Sequence, residues 1–142
     1  GDASRIGAVD VGTVGNIGAQ GTAQGANVPL GTMPFPRNPQ TGGPVDGGMA
    51  LVFNAIAIKS DALEAASWTQ AIGLRKRSNV ITLCDGTPLP GSVSPIFASA
   101  GAVGWRLNFI DDGDGGVLVT GTTGGPDDVR WHAELAASTQ AA

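Results

Sequence analysis

"VGWRLNFI" (Val103–Ile110) places an apolar side chain at every second position: Val103, Trp105, Leu107 and Phe109 fall on one face, Arg106 and Asn108 on the other. Successive strand residues point to opposite faces, whereas a helical face recurs every three to four residues, so this alternation predicts a half-buried strand. "DVRWHAELA" (128–136) repeats the pattern, with Val129, Trp131, Ala133 and Leu135 inward and Asp128, Arg130, His132 and Glu134 outward. "ALVFNAIAIK" (50–59) is almost wholly apolar and reads as a central strand. "SWTQAIGLRK" (67–76), "NVITLC" (79–84) and "GVLVTG" (116–121) supply three more, while Pro95 makes "SVSPIFA" (92–98) an edge candidate. "SDALEAAS" (60–67) reads as a loop. Seven short strands separated by Gly, Pro and Asp turns predict an all-β domain over residues 49–142, an antiparallel β-sandwich of jelly-roll-like type. Its expected core holds Trp68, Trp105, Leu107, Phe109, Val129 and Trp131.

Residues 1–48 have a different character. They hold 12 of the 23 glycines and the prolines 29, 34, 36, 39 and 44, which oppose helix and central strand alike. In "DVGTVGNIGAQGTAQG" (10–25) glycine stands at 12, 15, 18 and 21, and again at 25. On an extended threefold helix that spacing returns glycine to one side, where another backbone can approach closely. Collagen is excluded, because the repeat is short and contains no proline. A disordered tail is the competing reading, but the apolar side chains between the glycines favour an extended arm that becomes ordered on neighbouring chains. Its candidate anchoring residues are Val11, Gly12, Val14, Gly15, Ile17, Gly18, Gly21 and Phe35.

Composition bounds the partners. Charged residues make up 14% of the 142, well below the usual quarter, so part of the surface is expected to rest against something else. A net charge of −4 argues against sequence-independent nucleic-acid binding. The one basic cluster, Arg75–Lys76–Arg77, reads as a solvated hairpin end. No apolar run is long enough for a helical membrane span, and no secretion signal is evident, so the chain is expected to be soluble and made in a reducing compartment.

Candidate chemistry is sparse. "DDGDGG" (111–116) brings Asp111, Asp112 and Asp114 together and could ligate calcium, yet Asp and Gly are also what a tight hairpin requires. His132 is the only histidine, and Cys84, the only cysteine, reads as a small buried hydrophobe at a strand end. The inward phase of the three tryptophans favours packing over a sugar-stacking platform. No nucleophile, base and orienting partner assemble, and no phosphate loop joins strand to helix, so neither catalysis nor a cofactor is expected.

"AIGLRKRSNVITLCDGTPLP" (71–90) followed by "GWRLNFIDDGDGGVLVTGTTGGPDDVRWHAEL" (104–135) resembles a β-rich module that recurs in bacteriophage virion proteins, particularly fibres and other appendages. The resemblance rests on a basic strand leading to Val80–Leu83, the Trp105 strand, the turn Asp111–Gly116, Leu118–Gly121 and Val129–Ala133, about half the chain. It implies a non-enzymatic structural module on a virus particle, commonly trimeric, synthesised in the host cytoplasm. With no long repetitive stem before the module, a capsid decoration protein or short head fibre suits the chain better than a long fibre. The implied partners are the major capsid protein or other virion proteins, with neither nucleic acid nor membrane. The alternative is a tail-fibre or baseplate component that binds a host receptor or surface carbohydrate.

Overall fold

The computed structural model describes residues 28–123 and 129–142. They form nine strands: β1 Val28–Pro34, β2 Gly47–Lys59, β3 Ala65–Arg77, β4 Val80–Leu83, β5 Gly91–Val93, β6 Phe97–Ala98, β7 Arg106–Asp111, β8 Gly116–Thr122 and β9 Val129–Ala141. Two antiparallel sheets result, one ordered β1-β8-β7-β5 and the other β4-β3-β2-β9, with the short β6 paired to β3. The expected all-β sandwich is the observed fold.

Strict alternation builds the inner faces. Along β2, Met49, Leu51, Phe53, Ala55 and Ala57 are buried while the residues between them face outward. Along β9, Val129, Trp131, Ala133, Leu135 and Ala137 do the same. The opposing sheet contributes Leu107 and Phe109 from β7 and Val117 and Val119 from β8. Phe53 and Phe109 meet across the layers with ring centroids 5.3 Å apart, and Trp68 stacks on Trp131 at 5.5 Å. The Trp68 indole Nε1–H donates to the Val93 carbonyl at 3.1 Å, joining β3 to β5 of the other sheet and satisfying a donor that would otherwise be buried unpaired.

Three expectations are corrected. The sandwich begins at Val28 rather than near Met49: β1 pairs with β8 from Val28↔Gly121 to Pro34↔Gly116, and Leu30, Met33 and Phe35 are buried. Pro29 and Pro34 are compatible with this because β1 is an edge strand, where a missing ladder donor costs little. Phe35, expected as an arm anchor, is therefore a core residue. Secondly, "SVSPIFA" is two strands rather than one: β5 pairs with β7, whereas β6 pairs with β3, and the chain changes sheets around Pro95. Thirdly, Val103 does not face inward with Trp105. It caps a 3₁₀ turn at Ala100–Ala102 in helical geometry, so the alternation starts only after it, and its side chain is exposed.

Candidate functional site

The acidic segment makes the β7–β8 hairpin. Gly113 and Gly115 have φ of +78° and +86°, the left-handed region in which glycine is free of strain. Asp111 Oδ1 accepts from the Gly113 N–H at 2.8 Å, and Asp112 Oδ1 accepts from the N–H groups of Asp114 at 2.6 Å and Gly116 at 2.9 Å. These carboxylates thus serve the turn itself. Among the described residues no group of three or more His, Cys, Asp or Glu side chains is placed to hold a metal ion.

A cleft of about 330 Å³ opens beside this hairpin, lined by Arg37, Lys76, Asn79, Asp111, Asp114 and Gly115, among others. Arg37 reaches the hairpin from the segment after β1: its Nη2 donates to the Asp114 carbonyl and pairs with Asp114 Oδ1 at 3.4 Å, while Nη1 donates to the Gly42 carbonyl at 2.9 Å.

Lys76 corrects the solvated reading of the basic cluster. Trp68, Leu74 and Lys76 share the inward phase of β3, so Arg75 and Arg77 face out while Lys76 points between the sheets and is 3% exposed. Its Nζ lies 5.2 Å from the Phe35 ring centroid and has no hydrogen-bond partner. Burial pushes its ammonium below the usual lysine range; Arg37 adds to that, while Asp46, Asp111 and Asp112 oppose it. Within this site, Arg37 and Lys76 escaped the sequence reading. The signal for Lys76 was the unbroken even phase from Trp68 to Lys76 on "SWTQAIGLRK".

An unpaired buried ammonium weakens the fold. Lys76→Met keeps the apolar stem and removes the charge, so it is expected to raise stability by about 1–3 kcal/mol in a buffer without added oxyanions. The wild type should also gain stability with rising pH between the depressed folded pKa and the higher unfolded one, because there the unfolded chain binds the extra proton. Urea melts of both proteins from neutral to alkaline pH check this. A variant less stable than the wild type would show that Lys76 has a partner in the free protein.

The second feature is the outer face of the β4-β3-β2-β9 sheet. Val52 and Ile56 are each 46% exposed, and Ile58 lies beyond them on the same strand face. Val52 sits between Ala71 and Ala136, Ile56 between Ser67 and His132, and Asn54, between Thr69 and Glu134, separates the two on this face. Phe97, 75% exposed, is opposite Ser67 and shares a shallow depression with Ile56. On the face of the other sheet that points away from the core, Asn108 Nδ2 donates to the hydroxyls of the buried Thr120 and the half-buried Thr122, a polar ladder.

The remaining candidates are scattered. Trp68, Trp105 and Trp131 are all buried, as are Leu107, Phe109 and Val129. Cys84 is exposed, contrary to the expectation of burial: its side chain lies over Gly73, which is on the outward phase of β3, rather than between the sheets. His132 lies on β9 at the opposite edge, 3.8 Å from Glu134, with β3 and β2 between it and the β4 edge that Cys84 follows. Val11, Gly12, Val14, Gly15, Ile17, Gly18 and Gly21 lie outside the described residues, as does Asp128. Comparison with known proteins finds no matching family model, no matching curated protein and no matching solved structure.

Proposed function

We propose that the chain is a non-enzymatic structural protein of a bacteriophage particle, of the capsid-decoration or short head-fibre kind, assembling as a homotrimer on the virion. The observation that carries this reading is the apolar outer face of β2. Val52, Ile56 and Ile58 share one face of β2, interrupted by Asn54, with Phe97 beside Ile56; a monomer free in solution gains nothing from exposing these side chains, whereas association buries such apolar surface. The sandwich supplies the rigid body, and the glycine-spaced N-terminal segment is assigned to the particle, where symmetric repetition multiplies weak attachments. Two measurements test it. Quantitative mass spectrometry of purified particles should find the chain at a stoichiometry matched to the capsid lattice; absence from particles would sink the reading, and a few copies per particle would favour the tail-appendage alternative. Sedimentation should show a trimer that Ile56→Glu dissociates without lowering the melting temperature of the subunit. A wild-type monomer at all concentrations would remove the role given to the β2 face.

A further inference from the structure

We infer that the cleft between the β7–β8 hairpin and the end of β3 is a binding site for one compact oxyanion, a phosphate or carboxylate group, held by Lys76 and Arg37. Three observations converge on it. Lys76 Nζ is a buried ammonium with three donors and no acceptor, a condition stable proteins rarely leave uncorrected. Arg37 places a second cation beside it, and the two repel when nothing negative lies between them. The floor of the cleft is Gly115, where a Cβ would come within 3.2 Å of Arg37 Nη2 and 3.6 Å of Lys76 Nζ. A side chain at that position would touch both cations, so Gly115 leaves the point where they converge free of one.

The neighbouring acids do not fill the same role. Asp111 and Asp112 each commit an oxygen to the hairpin's own N–H groups, and neither is bonded to Nζ. Asp114 engages Arg37 at 3.4 Å from a side chain that is 91% exposed, a pairing that solvent competes with readily. Arg37 is held by the Asp114 and Gly42 carbonyls as well as by Asp114 Oδ1, so binding requires its Nη2 to turn from Asp114 toward a ligand oxygen shared with Lys76. Asn79, also on the cleft wall, offers an amide to a further ligand oxygen. The inference is independent of any virion role, since it rests on this cleft alone.

The test follows the Gly113 and Gly115 amide resonances of the full chain in nuclear magnetic resonance titrations with sodium phosphate and, separately, sodium acetate, at constant ionic strength and pH. Saturable shifts at these two glycines are expected with at least one anion, and the stronger binder identifies which group the site takes. Lys76→Met is expected to weaken that binding about 10-fold or more, the loss of one charge-assisted hydrogen bond. Arg37→Gln, a surface change that leaves the core intact, should weaken it by a smaller factor. Bound oxyanion should also raise the melting temperature of the wild type, and at the same anion concentration raise that of Lys76→Met less. The inference is overturned if neither anion gives a saturable shift, or if Lys76→Met, shown folded by its melt, binds as the wild type does.

Discussion

Trp131→Ala is expected to cost about 3–5 kcal/mol, a large share of the total stability of a domain this size. The side chain is 2% exposed, stacks on Trp68 at 5.5 Å and faces Gly121 of the opposite sheet, so truncation empties the space between the layers at this point. A Cβ on Gly121 would stand 2.7 Å from three carbons of the Trp131 ring, which gives that glycine a physical reason: it is the hole into which the indole fits. The two positions should therefore couple. Gly121→Ala alone overpacks the site and is expected to destabilise by about 1–3 kcal/mol. Combined with Trp131→Leu, it should cost much less than the separate effects imply. Urea unfolding of Trp131→Ala, Gly121→Ala, Trp131→Leu and the Gly121→Ala/Trp131→Leu double variant measures this. Additive losses, or a Trp131→Ala protein with the wild-type midpoint, would show that the indole is not the element holding the layers together.

The strands of the sandwich were legible wherever one side chain type repeats with period two, because only burial of a single sheet face produces that pattern. β2, β7 and β9 were therefore readable from Leu51, Leu107 or Trp131 and their even-spaced neighbours. β1 was not, since its prolines mask the apolar phase of Leu30 and Met33, and a bulge between Pro29 and Gly31 breaks the alternation. Edge position is a property of topology, which no local pattern contains. Lys76 shows the converse: residue type suggested solvent, while its phase along β3 put it inside. Arg37 could not have been found, because its place beside the hairpin depends on a contact 77 residues away along the chain. The same long-range pairing leaves Cys84 and His132 on opposite edges of one sheet.

Removing residues 1–48 is expected to unfold the protein, whereas removing residues 1–27 should leave its melting transition in place. The first deletion takes away β1, and with it Leu30, Met33 and Phe35. Each is worth about 1.5–3 kcal/mol of burial, so together they approach the whole stability of an ordinary domain. The deletion also uncovers β8 along its length, turning the inward-facing Val117 and Val119 strand into an unprotected sheet edge. It removes the Phe35 ring next to Lys76 as well, leaving the buried ammonium with still less to offset its desolvation. The shorter deletion touches none of the described strands. If the glycine-spaced segment anchors the chain to a particle, that protein should fold, melt cooperatively and fail to incorporate. Circular dichroism melts of the two truncations separate folding from attachment, and particle pull-down of the shorter truncation measures attachment alone. A cooperative melt for residues 49–142 near the full-length temperature would mean that β1 is an accessory to the sandwich. Full incorporation without residues 1–27 would place the attachment surface on the sandwich, with the apolar face of β2 the first place to look.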